Sequence, residues 1–219
     1  MTAGMASNAG YDVDAAALAA QYESIAFEHV HRSVRHLFPQ PPSTILDIGA
    51  GSGRDAAALS RLGHHVTAVE PTCELRCEGQ RLHAAAQIDW LDDRLPELSI
   101  VRRLDKRFDL ILLTAVWMHL NRSERVAAMV TVAQLLAEGG LVSMSLRHGP
   151  FPVGRRMFAV SADETIELGA RCGLNCLQRT EQDDAQGRAD VCWTFVVLRK
   201  PGARAAELPN AGATISAPR

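Results

Sequence analysis

ILDIGAGSGRDAAALSRLG, residues 45–63, sets glycines at 49, 51 and 53 directly after a short apolar run. Glycine lets a chain turn tightly and lets a ligand touch backbone that any Cβ would cover. A turn of this kind between a strand and a helix commonly holds nucleotide-like ligands. The dinucleotide fingerprint G-x-G-x-x-G needs its third glycine at position 54, which here is Arg54. No G-K-[ST] follows to make a phosphate loop either. The spacing G-x-G-x-G fits neither phosphate binder, so the rest of the chain has to decide what the turn holds.

Outward from the turn, strand and helix patterns alternate. TILDI at 44–48 reads as a buried strand and 54–62 as a helix closed by Gly63. HHVTAVE at 64–70 and QIDWLD at 87–92 read as strands around a helix over 72–85. FDLILLT at 108–114 is unbroken and apolar, as a central parallel strand should be. The next helix starts at Asn121 or Ser123 and stops at Gly139-Gly140, and LVSMSL at 141–146 is the fifth strand. Ser161 and Glu164 have capping-box spacing for a helix that ends near Gly173. LNCLQRT at 174–180 and VCWTFVVL at 191–198 form a terminal strand pair. Before the first strand, Asp14–Phe38 shows one helical pattern, which PQPP at 39–42 stops. Strand alternating with helix means an α/β sheet covered on both faces, with ligands at the carboxyl ends of its strands.

Composition narrows the class. A chain of 219 residues, 47% apolar and 22% charged, can bury the core of one soluble domain. A formal net charge of −2 leaves no basic footprint and argues against a nucleic-acid partner. The first ten residues lack the basic and apolar regions of a secretory signal, and LILLTAVWM at 110–118 is about half a membrane span. Five cysteines, at 73, 77, 172, 176 and 192, fit reduced thiols and a cytoplasmic protein without membrane attachment. Neither C-x3-C pair has the tighter spacing usual for structural zinc, and helical geometry turns His31 away from His29 and His36, so no metal is expected. Residues 1–10 are expected to be disordered, 11–200 to form a single domain with 11–38 as its lid helix, and 201–219 to be a flexible tail.

The G-x-G-x-G turn with its preceding acid, LDIGAGSG, resembles the first motif of the class I S-adenosylmethionine-dependent methyltransferases. Glu70 in TAVEP, the acidic stretch WLDDRLPEL at 90–98 and FDLILLTAVWMHL at 108–120 resemble that family's following motifs, in its order, over residues 44–198. The resemblance implies a Rossmann-like three-layer α/β sandwich, its seven-stranded sheet mostly parallel with an antiparallel terminal strand. It implies S-adenosylmethionine as cofactor and S-adenosylhomocysteine as product. Asp47 and the backbone of Gly49, Ala50 and Gly51 would hold the amino-acid end. Glu70 would hold the ribose hydroxyls, and Asp92, with Asp93 close behind, the adenine amine. Thr114 and Ala115 would line the methyl side, with Gly53, Arg54, Pro71 and Leu91 as further contacts.

A sulfonium already activates its methyl group, so transfer mainly needs an acceptor held in line with the leaving sulfur. His119, just after the fourth strand, is the leading group for proton transfer, and Tyr22 on the lid is a second candidate. SLRHGPFPVGRRMF at 145–158 carries Arg147, His148, Arg155 and Arg156 at the ligand end of the sheet. Guanidinium groups there would suit an anionic group on the acceptor, with Arg147 or His148 facing it. The expected function is methyl transfer to a small molecule. The alternatives are a tRNA, rRNA or protein methyltransferase, a non-catalytic cofactor-binding subunit, and a Rossmann-like dehydrogenase.

Overall fold

The computed structural model describes residues 14–152 and 154–202. The expectations for residues 1–10 and for nearly all of the 201–219 tail lie outside them.

Three segments precede the sheet: helix α1 (Ala15–Glu23), a single turn α2 (Phe27–Val30) and a 3-10 turn at Arg35–Leu37. The alternating part then runs β1 (Thr44–Ile48), α3 (Arg54–Arg61), β2 (His65–Val69), α4 (Cys73–Leu82), β3 (Ile88–Leu91), α5 (Ser99–Arg103) and β4 (Phe108–Leu113). It continues through α6 (Arg122–Leu135), β5 (Leu136–His148), α7 (Ala162–Arg171), β6 (Asn175–Asp183) and β7 (Cys192–Arg199). The seven strands lie in the order β3-β2-β1-β4-β5-β7-β6. The first five are parallel, and β7 runs antiparallel to both β5 and β6. Strand order reverses between β1 and β4, which opens a crevice at their carboxyl ends.

Side chains alternate across the strands and divide the core in two. Leu46, Ile48, Ile111 and Leu113 face one way and pack on Met129 and Val132 of α6 and Leu168 of α7. Ile45, Leu110, Leu112 and Val197 face the other way and pack on Phe27 of α2 and Ala56 and Leu59 of α3. Burial on both faces explains the continuous apolar runs of β1 and β4. Asp47 lies on the Ile45 face, two residues further on, where the core gives way to the crevice.

Three expectations need correction. The single helix of 14–38 is broken. The Ser24 hydroxyl donates to the Gln21 carbonyl at 2.7 Å, and Ala26 is extended at φ −62°, ψ 142°. A straight 25-residue helix would run about 37 Å, whereas the bends let Phe27 and Val34 both reach the core. Gly139-Gly140 does not cap α6, which ends at Leu135. The two glycines lie within β5 where its register on β4 shifts, and a Cβ on Gly140 would stand 2.9 Å from the Ala137 and Phe108 oxygens. The capping box falls at α6, where Asn121 and Glu124 bond each other's backbone reciprocally. At α7, Ser161 accepts from the Glu164 N–H, but the Glu164 carboxylate binds Arg125 instead. Helix α5 has no counterpart in the sequence reading.

Candidate active site

The turn after β1 is tied to the end of β2. The N–H groups of Gly49 and Ala50 donate to the Val69 carbonyl at 2.8 and 2.9 Å. Gly51 donates to Glu70 Oε2 at 2.9 Å, and Thr72 donates to Glu70 Oε1 at 2.7 Å. The Thr72 side chain adds a third hydrogen bond, so of the four lone pairs on the carboxylate one is left for a ligand hydroxyl. Its burial raises its pKa.

Asp47 and Asp55 lie side by side at the floor of the crevice. Asp55 is held from three sides. Arg54 Nε donates to its Oδ1 at 2.7 Å, while His31 Nε2 and Thr114 Oγ1 donate to its Oδ2 at 2.8 and 2.9 Å. Burial opposes its charge, but Arg54 and His31 outweigh burial and hold the carboxyl far below the usual carboxylate range. Asp47 accepts from the Ala56 N–H, and its Oδ2 is buried with no partner. Burial first, and then the Asp55 charge, push Asp47 well above the ordinary carboxylate value.

A cavity of about 270 Å³ extends from this floor. Asp47, Gly49, Ala50, Gly51, Arg54, Glu70, Pro71, Asp93, Thr114 and Ala115 line it, as do Tyr22, His119 and Arg147. The fold brings those sequence candidates together. Ala115 holds a left-handed backbone, φ 60°, and donates to Ser145 Oγ at 2.8 Å. Tyr22 lies over Gly51, where a Cβ would meet its ring at 3.4 Å. The Tyr22 hydroxyl is hydrogen-bonded to Arg155, and its pKa is raised by burial. His119 Nδ1 donates to the Arg156 carbonyl at 2.8 Å, which fixes Nε2 as the basic nitrogen. Burial lowers the His119 pKa.

Five candidates lie elsewhere. The Asp92 side chain is 57% exposed and pairs with Arg76, so it turns away from the cavity. Asp93 does line the cavity, and its carboxylate accepts the Ile100, Val101 and Arg94 N–H groups, capping α5. Leu91 is outside the lining. Gly53 is outside it too: a Cβ there would stand 2.7 Å from the Trp90 ring, so that glycine makes room for packing. His148 is bonded to Thr194 Oγ1 at 2.8 Å and does not reach the cavity. Arg156, read from sequence as one of three pocket guanidinium groups, is buried against Glu124 and the His119 carbonyl.

Sequence reasoning missed Asp55, His31 and Gln182. Asp55 stands inside the quoted stretch, one residue past Arg54. His31 becomes a partner only because the lid helix is broken. Among the described residues no group of three or more His, Cys, Asp or Glu could hold a metal ion. No helix among them is long and apolar enough to cross a membrane.

Residues 19–175 match the methyltransferase domain family, and the chain belongs to that family. No curated protein matches the sequence. Solved structures share the fold. The 1,6-didemethyltoxoflavin-N1-methyltransferase of Burkholderia thailandensis, with bound 1,6-didemethyltoxoflavin and S-adenosylhomocysteine, is 22% identical at a TM-score of 0.60, over 85% of this chain and 88% of that one. A glycopeptide N-methyltransferase is 16% identical at 0.64, over 83% and 100%. The magnesium protoporphyrin IX methyltransferase of Synechocystis PCC 6803, with bound S-adenosylmethionine, is 13% identical at 0.60, over 87% and 80%. The fold is therefore the Rossmann-like methyltransferase sandwich. Its site suits S-adenosylmethionine, because the unpartnered Asp47 Oδ2 can take a cationic donor and the Glu70 carboxylate keeps a lone pair for a ribose hydroxyl.

Proposed function

We propose that this chain transfers the methyl group of S-adenosylmethionine to a small-molecule acceptor by in-line displacement. The observation that carries the reading is Asp47 Oδ2, a buried carboxylate oxygen with no partner at the floor of the crevice. An unsatisfied buried acceptor costs about 1–3 kcal/mol, more when charged, and an ammonium group from the cofactor's amino-acid end would remove that cost. Bound there, S-adenosylmethionine supplies a methyl group activated by the charge on its sulfur.

The chain's own residues would do the rest. Glu70 takes a ribose hydroxyl, Asp93 rather than Asp92 faces the adenine end, and Thr114 and Ala115 border the methyl. Tyr22 covers the turn and keeps water out. His119, neutral because burial lowers its pKa, can take the acceptor's proton on Nε2. A walled cavity with Arg147 and Arg155 in its lining favours a metabolite over a macromolecule, as do neighbours named for magnesium protoporphyrin IX and 1,6-didemethyltoxoflavin. The five free thiols accord with a cytoplasmic enzyme.

Methyl-labelled S-adenosylmethionine incubated with the purified chain and a metabolite extract tests this reading. Label in a small-molecule product, with no other protein added, supports it. Cofactor binding without transfer would mean a non-catalytic subunit, and label entering only added tRNA or protein would move the acceptor class.

A further inference from the structure

Beyond Thr114 the cavity runs on over the far half of the sheet, and the strand register shows how that floor is laid. Arg147 of β5 is paired with Trp193 of β7, and Trp193 with Gln182 of β6. Cross-strand partners project from the same face, so a guanidinium, an indole and a carboxamide stand in one row. One step back along the strands, Ser145 is paired with Phe195, which puts a second aromatic ring beside the first. All five residues line the cavity.

Three parts of this floor are held by neighbours, Arg147 among them through a bond from its Nη1 to the Pro150 carbonyl at 2.7 Å. Trp193 Nε1 donates to Asp184 Oδ1 at 2.8 Å, and Arg188 grips the same carboxylate through Nε and Nη2 at 2.9 and 2.7 Å. The indole is thereby locked in orientation. Gln182 Nε2 donates to Ser33 Oγ at 2.7 Å, while its Oε1 has no partner in a residue only 8% exposed. A buried acceptor left unmatched beside an indole of fixed orientation marks a place where a ligand donor can be received.

We propose that this floor selects a flat, conjugated acid as the methyl acceptor. Its ring lies over Trp193 and Phe195, its acidic group points towards Arg147, and an N–H or O–H on its other end donates to Gln182 Oε1. Arg147 and Gln182 are two strand spacings apart, about 9.6 Å between backbones. A one- or two-ring molecule substituted at opposite ends has the length to reach from one to the other. The proposal rests on the methyltransferase reading, because the floor gains its meaning from lying next to the methyl side of the crevice.

Calorimetry separates the two. The chain is first titrated with S-adenosylhomocysteine, then, saturated with it, with 4-hydroxybenzoate and 6-hydroxy-2-naphthoate. Each acid is matched by its uncharged amide, its methoxy analogue lacking the donor, and its saturated-ring counterpart. At least one acid should bind about tenfold tighter than each of its three controls, the size of one charged or well-placed contact. Arg147→Met should erase the preference for the acid over the amide. Gln182→Leu should erase the preference for hydroxyl over methoxy. Both variants should keep S-adenosylhomocysteine affinity within about twofold, the error of independent sites. If Arg147→Met does not fold, Gln182→Glu replaces it and should weaken the acid alone by about tenfold through like-charge repulsion. Failure to bind S-adenosylhomocysteine would sink the methyltransferase reading. Binding of S-adenosylhomocysteine with no discrimination among the probes, or discrimination unchanged in the variants, would sink the aromatic-acid floor alone.

Discussion

Asp47 and Asp55 occupy the same buried corner and share the field of Arg54, yet they titrate in opposite directions. Three donors saturate Asp55, which keeps its charge over the ordinary pH range, and that charge helps keep a proton on Asp47. At a pH where Asp47 is protonated, a cationic ligand group has to displace that proton. S-adenosylhomocysteine affinity should therefore rise with pH through the interval in which Asp47 ionises, above the ordinary carboxylate range, and then level off. Titration calorimetry between about pH 5 and 8 would show the slope. Asp47→Asn should weaken binding by about 10–100-fold and flatten that slope. His119 shifts the other way for a base: burial favours its neutral form, so the acid limb of kcat should fall below about pH 6.5. His119→Asn should cut kcat by about a hundredfold with little change in KM, measured in steady-state assays once an acceptor is known. At this scale the glycine turn was legible because close backbone approach demands glycine, while Asp47 and Glu70 were placed at the crevice only through the resemblance of their motifs to the family's. Asp55 was not, because nothing in G-R-D tells that its carboxylate faces a histidine 24 residues upstream.

Arg156 holds two loops together. Its guanidinium donates to the His119 carbonyl at 2.7 Å and grips both oxygens of Glu124 at 2.9 Å, while its own carbonyl receives His119 Nδ1. Phe158 N–H adds a bond to the Met118 carbonyl at 2.8 Å, and the guanidinium stacks on the Phe158 ring. The 3-10 turn at Trp117–His119 therefore takes its position from the segment after β5 as much as from β4. Removing one member of a buried pair costs about 3–5 kcal/mol, less where the partner reaches solvent as Glu124 does. Arg156→Met should lower unfolding free energy by about 3 kcal/mol in denaturant titration, and it should reduce kcat through His119 even where the fold survives. Elements defined by one dominant signal were readable: the apolar runs of β1 and β4, and the cap at Asn121. Elements set by distant partners were not. Ala-rich helical periodicity through 14–38 carries no mark of the bend that buries His31, and an arginine in a Gly-Pro loop looks the same whether it meets solvent or a buried carboxylate.

Across the whole molecule, α1 is laid over the crevice by its small buried residues Ala15 and Ala19 and by polar contacts at its C-terminal end. Ser52 Oγ donates to Glu23 Oε1 at 2.7 Å, His83 meets the same oxygen at 3.1 Å, and Gln21 reaches Gln186 at 3.0 Å. Exposed and part-buried hydrogen bonds of this kind contribute about 0.5–1.5 kcal/mol each, and alanines bury little area, whereas the sheet beneath is fixed by a continuous apolar core. The lid should open far more readily than the sheet unfolds. Amide hydrogen exchange over residues 15–23 should be fast in the free chain and slow at least about tenfold on addition of S-adenosylhomocysteine. The β1 and β4 amides should exchange slowly in both states.

Trp90, on the edge of the sheet, sends its ring into the notches left by Gly53 and Gly79, where a methyl at either position would stand 2.7 or 2.5 Å from it. The third glycine of the ligand turn is thus demanded by an indole two strands away. Loss of that indole would leave a void under the turn without freeing position 53 for a larger residue, because its backbone stays left-handed at φ 85°. Position 53 is therefore held to glycine twice over, by the ring that fills its notch and by its own backbone.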